Sequence, residues 1–173
     1  MDRVNEADVE WQQYDGGDAS FRRKELSNAA ASADENDEEA GEHTDPDIGC
    51  SLYAIEPGDS AWPYHYHTAN AEAIYVLDGA GTLHCEAGEE PLVAGDYVAL
   101  PADASGGHRV VNDGDATLRY LMLSTMREPD VTVYPEMETF GVYVGAPPGG
   151  REERSLEGYY ETDADVPYWE DDA

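Results

Sequence analysis

Gly58-Asp-Ser-Ala-Trp-Pro-Tyr-His-Tyr-His-Thr-Ala-Asn-Ala-Glu-Ala-Ile-Tyr-Val-Leu-Asp-Gly79 is the stretch that decides the fold of this 173-residue chain. In a strand, residues i and i+2 point to one face, so His65 and His67 project together, about 7 Å apart at the backbone. Tyr66 points the other way. Thr68, Ala69 and Asn70 suit a turn. Glu72 then falls early in a second strand, Ala71 to Leu77, whose Ile, Tyr, Val and Leu content fits a half-buried pleated surface. A second stretch, Gly95-Asp-Tyr-Val-Ala-Leu-Pro101 followed by His108-Arg-Val-Val-Asn112, adds a third imidazole at the start of another strand. Three imidazoles and one carboxylate are the donor set a mid-row divalent metal prefers. Their nitrogens and oxygen can reach roughly 2.0–2.2 Å from one ion. Ligands from three strands converge only where the sheet curls, and a small barrel does this.

A lone His-x-His pair on a strand is more commonly two solvated or core histidines. Glu72 in phase with the pair, and His108 beyond the Gly95-to-Pro101 segment, favour a ligand set of His65, His67, Glu72 and His108.

At these residues the sequence resembles the cupin superfamily. The first cupin motif is met by Gly58, His65, His67, Glu72 and Gly79, with a spacer from Gly58 to His65 one residue longer than usual. The second is met by Gly95, Pro101, His108 and Asn112. Asp103 stands where that motif has glycine, and the interval from Pro101 to His108 is two residues longer than the common form. The long loop, with segments 123–135 and 165–169, is similar to a subgroup of small single-domain cupins of the conserved-barrel type. The resemblance implies an all-β fold, a single double-stranded β-helix or jelly-roll barrel with N-terminal strands and a C-terminal arm. It also implies one divalent transition metal ion (Fe, Mn, Ni, Zn or Cu) and a homodimer. It does not imply one reaction, because cupins include isomerases, dioxygenases, decarboxylases and non-enzymatic binders.

Composition bounds the rest. The chain is long enough for one domain with a real core. It carries 39 acids and nine bases, a formal charge of −30, and Lys24 is its only lysine. Such charge opposes a compact state by self-repulsion at ordinary salt. At about 1 M salt the Debye length falls to about 3 Å and the repulsion is screened. The expectation is a protein that folds in concentrated salt, as in the cytoplasm of a halophilic archaeon. Nucleic acid and anionic membrane surfaces are disfavoured as partners by the same charge. No long apolar run suggests a membrane span, and the first residues lack the apolar core of a signal peptide. Cys50 and Cys85 are too few for a disulfide framework and are read as buried free thiols.

Along the chain, residues 1–30 read as one or two strands packing on the barrel. Residues 31–47 read as an acidic mobile loop, with eight acids between Asp34 and Asp47. His43 within it reads as solvated. Residues 48–145 read as the barrel, with short strands at Cys50–Ile55, Trp62–His67, Ala71–Leu77, Gly81–Glu86, Pro91–Val93, Tyr97–Leu100, His108–Val111 and Ala116–Thr125. One or two more are expected over 131–144. Asp78-Gly79 carries a hairpin signal. Short strands at this spacing indicate a sandwich or barrel. Residues 146–173 read as a C-terminal extension whose aromatics pack on the barrel or on a second subunit.

His84 alternates onto a polar face and reads as a surface residue. Asn112 reads as a tie for the turn at Asp113-Gly114. Trp62, Tyr64, Tyr75 and Tyr120 read as packing aromatics, and Arg109 and Arg119 as partners of nearby acids. No catalytic base stands at a convincing spacing from the ligand set. Three functional readings stay open: a metal-dependent enzyme such as a dioxygenase acting on a small oxygenated substrate, a non-catalytic small-molecule or metal-binding barrel, and a sugar or sugar-phosphate isomerase.

Overall fold

A computed structural model describes residues 3–32, 47–150 and 153–169. Its strands are β1 (Gln12–Gly16), β2 (Ala19–Glu25), β3 (Gly49–Ile55), β4 (Tyr66–His67), β5 (Glu72–Asp78), β6 (Ala80–Cys85), β7 (Gly88–Val93), β8 (Tyr97–Leu100), β9 (His108–Val111), β10 (Leu118–Ser124), β11 (Asp130–Tyr134), β12 (Thr139–Val144) and β13 (Leu156–Glu161). They form a six-stranded sheet in the order β1-β2-β3-β10-β5-β8, a four-stranded sheet β13-β12-β11-β4 and a three-stranded sheet β7-β6-β9. All pairings are antiparallel. The fold is the all-β jelly-roll barrel that the motifs imply.

Alternation builds the core. Ile55, Ile74, Val76, Leu118 and Tyr120 come from neighbouring strands of the large sheet and are almost wholly buried. Leu83 and Leu92 meet them from the three-stranded sheet, with Val110. Each large apolar side chain withdrawn from water in this way contributes about 1.5–3 kcal/mol. A ring ladder continues the core outward: Tyr120 stacks on Tyr53, Tyr53 on Phe21, and Phe21 on Tyr14. This ladder fastens β1 and β2 to the barrel.

Three local readings change. Residues 26–32 form a helix, α1 (Leu26–Ser32), where strands and then a mobile loop were expected. Ala29, Ala30 and Ala31 are the best helix formers, and the Ser27 hydroxyl accepts from the Cys50 amide at 3.0 Å. The expected strand Trp62–His67 contracts to Tyr66–His67, with single bridges at Ser60 and His65. Pro63 supplies no N–H for a continuous ladder. Asp78-Gly79 is not a hairpin, because β5 and β6 belong to different sheets. Gly79 has φ +82°, and a Cβ there would sit 2.6 Å from the Thr117 carbonyl oxygen. The turn therefore requires glycine both for its dihedral and for its close approach. Most of the acidic stretch 31–47, including His43, lies outside the described residues.

Both cysteines are free thiols, and both are only half-buried. Among the described residues, no helix is long and apolar enough to cross a membrane.

Candidate metal centre

His65 and His108 face each other across an antiparallel bridge and exchange both backbone hydrogen bonds, at 3.1 and 2.9 Å. His67 pairs with Thr132 where β4 meets β11. Glu72 opens β5, between Ser124 of β10 and Leu100 of β8. The sheets thus bring all four side chains to one place from three separate stretches of backbone. All three histidines are buried. One ligand atom each of His65, His67 and Glu72 lies within 4.8 Å of the others. Glu72 Oε2 is 3.7 Å from the Nε2 atoms of both His67 and His108.

The hydrogen bonds on the far side of each ring decide which nitrogen faces inward. His65 Nδ1 lies 2.8 Å from the Pro63 carbonyl oxygen, and His108 Nδ1 lies 3.0 Å from that of Gly106. His67 Nδ1 lies 2.6 Å from Oδ2 of the buried Asp130. Each of these partners is an acceptor, so each Nδ1 carries the proton and each Nε2 keeps a bare lone pair. Two ligands at 2.0–2.2 Å from one ion stand no more than about 4.4 Å apart. The 3.7 Å separations of Glu72 Oε2 from His67 and from His108 fall within that reach. The His65, His67 and Glu72 cluster can therefore hold a metal ion.

Electrostatics agree with that arrangement. Burial, with the neighbouring His108 and His67, pushes the His65 imidazole well below its usual value. Burial also lowers His108, although Glu72 opposes it. Burial lowers His67 too, but Glu72 and Asp130 outweigh it and the net shift is upward. Asp130 is pushed up by burial, yet its bonds to His67, Asn70 and the Ala69 amide hold it below the ordinary carboxylate value.

The cluster lies on the wall of a cavity of about 370 Å³. Several other residues on that wall, or bonded to it, went unread in the sequence. Asp130 orients His67, and its signal was a carboxylate at the head of an apolar strand. Tyr134 stacks on the His65 ring at 5.8 Å. Burial pushes its phenol up to about 12, so it is a proton-bearing donor at neutral pH. The Tyr143 hydroxyl bonds that of Tyr159 at 2.8 Å, which brings β13 of the C-terminal extension to the cavity. Arg23 and Arg154 supply its cations.

The remaining candidates take structural places. Asn112 is fully buried, donates to the carbonyls of Ile55 and Ala116 at 2.7 and 2.9 Å, and accepts from the Gly114 amide at 3.0 Å. Arg109 pairs with Asp18 at 2.8 Å and Arg119 with Glu6 at 3.3 Å. His84 is part-exposed and lies 3.7 Å from Glu89, away from the cavity wall. Of the four aromatics, Tyr120 is core, Tyr75 is exposed, and Trp62 lines the cavity while donating to the Tyr53 hydroxyl at 3.0 Å. The Tyr64 phenol packs close against Gly107, where a Cβ would meet its oxygen at 2.4 Å.

Residues 51–124 match the family model described as the cupin domain. A protein from Acidithiobacillus ferrooxidans, whose sugar phosphate isomerase name is itself provisional, is 25% identical with a TM-score of 0.72 over 95% of this chain and 92% of its own. A sugar phosphate isomerase of the cupin superfamily from Silicibacter pomeroyi is 23% identical with a TM-score of 0.72, covering 94% of each chain. A protein from Thermotoga maritima, named an oxalate decarboxylase by inference, is 21% identical with a TM-score of 0.55 over 71% of this chain and 97% of its own. No curated protein matches the sequence.

Proposed function

This chain belongs to the cupin superfamily, and from that premise we propose that it is a metal-dependent enzyme acting on a small oxygenated substrate. The observation that carries the proposal is the set of three acceptor-held Nδ1 atoms, which leave three Nε2 atoms free beside the Glu72 carboxylate, with His65, His67 and Glu72 on the wall of a cavity of about 370 Å³. His65, His67, Glu72 and His108 would hold one divalent transition metal, of the Fe, Mn, Ni, Zn or Cu class. Such an ion supplies Lewis acidity toward a carbonyl or enediol and, if it is iron, access to dioxygen chemistry.

The chain's own groups supply the rest. Asp130 fixes the His67 ring and its tautomer. Tyr134, protonated and stacked on His65, is placed to donate a hydrogen bond to an oxygen that gains negative charge. The aromatic wall of Tyr53, Trp62, Tyr134 and Tyr143 limits water around the bound molecule.

A sugar or sugar-phosphate isomerase is the second reading, favoured by the likeness to the Acidithiobacillus protein across 95% of the chain. A binder without catalysis is the outcome if no turnover follows metal loading. A homodimer fits the exposed pair Tyr75 and Tyr97, which oppose each other at the β5–β8 edge of the large sheet.

Metal content by plasma mass spectrometry, on protein purified without chelator, tests the centre. Near one transition metal per chain is expected, and its loss is expected in the double variant His65→Ala plus His67→Ala. Metal retained in that variant refutes the ligand assignment. Oxygen uptake and isomerisation assays against dicarbonyls, sugar acids and sugar phosphates then separate the readings.

A further inference from the structure

Arg23 and Arg154 both line the cavity that holds the metal centre, in a chain with nine bases against 39 acids. Their surroundings differ. Arg154 commits all three nitrogens: Nε to the Ala146 carbonyl at 3.0 Å, Nη2 to that of Pro147 at 3.0 Å, and Nη1 to Glu157 at 2.9 Å. It closes the loop between β12 and β13 and has little left to offer a ligand.

Arg23 is not so committed. Its Nη2 meets Glu25 and, at 3.1 Å, the Tyr14 hydroxyl. Its Nε is buried and has no hydrogen-bond partner. A buried donor left unpaired costs about 1–3 kcal/mol unless something satisfies it. The guanidinium lies 5.1 Å from the Tyr14 ring centroid and 6.0 Å from that of Trp62, so its plane is fixed in advance. A planar fork resting against two rings, with a spare donor, suits a carboxylate or a phosphate. Glu25 balances the charge, but one carboxylate does not use five N–H donors, so donors remain for a ligand. Arg23 is joined to the metal centre through the inner face of the large sheet. It pairs with Tyr53, Tyr53 pairs with Tyr120, and Glu72 lies on the next strand beyond.

We infer that Arg23 binds the anionic end, carboxylate or phosphate, of a small oxygenated ligand whose other end lies at the His65, His67, Glu72 and His108 cluster. This rests on the metal-centre reading. It adds that the substrate is a bifunctional anion and not a neutral sugar or catechol.

The test compares three probes on manganese-loaded protein by isothermal titration, at the lowest KCl that preserves the fold. Glycerate offers a chelating hydroxy acid alone, malate adds a distal carboxylate, and 3-phosphoglycerate adds a distal phosphate. Malate or 3-phosphoglycerate is expected to bind about tenfold or more tightly than glycerate, and the stronger of the two identifies the anion. In Arg23→Gln that advantage disappears, while glycerate affinity and manganese content stay unchanged. Arg23→Lys keeps a reduced share, as a point charge without the fork. Equal binding of the three probes by the unmodified protein overturns the inference, as does an advantage that survives in Arg23→Gln. If Arg23→Gln fails to fold, the Arg23→Lys protein decides, since an undiminished advantage there is equally contrary. Failure to take up manganese sinks the metal-centre reading instead. Inorganic phosphate titrated into metal-free protein then still reads Arg23: binding lost in Arg23→Gln supports the inference, and no binding, or binding unchanged, overturns it.

Discussion

His67 Nδ1 lies 2.6 Å from Oδ2 of Asp130, a carboxylate 63 residues further along the chain and buried beneath the ring. The same carboxylate accepts from the Ala69 amide at 2.9 Å. Asp130 therefore locks both the tautomer of His67 and the backbone just beyond it. Asp130→Asn keeps the shape but can present its amide N–H to Nδ1, which favours the wrong tautomer. Metal affinity is expected to fall about 10–100-fold. Competition against a chelating dye measures it. Unchanged affinity would show that Asp130 serves the turn and not the ring.

Asn112 ties its own turn to β3: it donates to Ile55 in β3 and to Ala116, and accepts from Gly114. Asn112→Ala leaves the fully buried Ile55 carbonyl and the part-buried Ala116 carbonyl without this donor, and the Gly114 amide without its acceptor. A loss of about 2–4 kcal/mol is expected, from about 1–3 kcal/mol per orphaned group. Asn112→Asp should do no better, because a carboxylate accepts from Gly114 but cannot donate to the carbonyls. Denaturant midpoints at constant slope measure both. A cost below about 0.5 kcal/mol, typical of a surface change, would contradict the account.

That His65, His67, Glu72 and His108 gather in one place is legible because they obey short-range rules. His65 and His67 share a face by strand phase, and Glu72 and His108 sit at strand starts marked by turn residues. The family resemblance then carried the jelly roll. What surrounds the cluster was not legible, for a physical reason. Arg23 of β2, Tyr134 of β11 and Tyr159 of β13 reach the cavity, and Asp130 of β11 reaches His67, by long-range pairing that no local period encodes. Asp130 looked like an ordinary acid in an acidic chain. Helix α1 straddles the expected boundary, with Ala29 and Ala30 in the stretch expected as strands and Ala31 in the expected loop, and seven residues are too short to show a helical period. The strand at Trp62 was overextended because the apolar run outweighed Pro63.

Metal-free protein should lose stability as the pH falls below about 6.5, the ordinary histidine value. The folded-state values of His65 and His108 are depressed by burial. The unfolded chain therefore binds more protons once the pH passes below 6.5. The stability these two groups contribute is full above that point and is lost as the pH falls toward their folded values. His67 acts in the opposite sense: its raised value adds stability below 6.5 that is lost as the pH rises. Two groups oppose one, so the net effect of acidification is destabilising. Melting temperatures between pH 7.5 and 5.5 test this. A flatter slope is expected in His108→Gln, and a melting temperature that rises on acidification would contradict the assignment.

Salt should act strongly on a chain of charge −30. Its exposed ion pairs, such as Arg22–Glu56 and Arg119–Glu6, are too few to offset the acids, and each is worth at most about 1 kcal/mol. Screening by salt weakens those pairs but relieves far more like-charge repulsion. The Debye length is about 10 Å at 0.1 M and about 3 Å at 1 M. Melting temperature should therefore climb steeply between those concentrations of KCl and then level off. Exclusion of salt from the surface would add a further gain that does not level off, and sulfate would show it more than chloride. A plateau near 1 M in KCl identifies screening as the main cause. A melting temperature that is flat or falls over this range would mean that the fold tolerates its charge without salt.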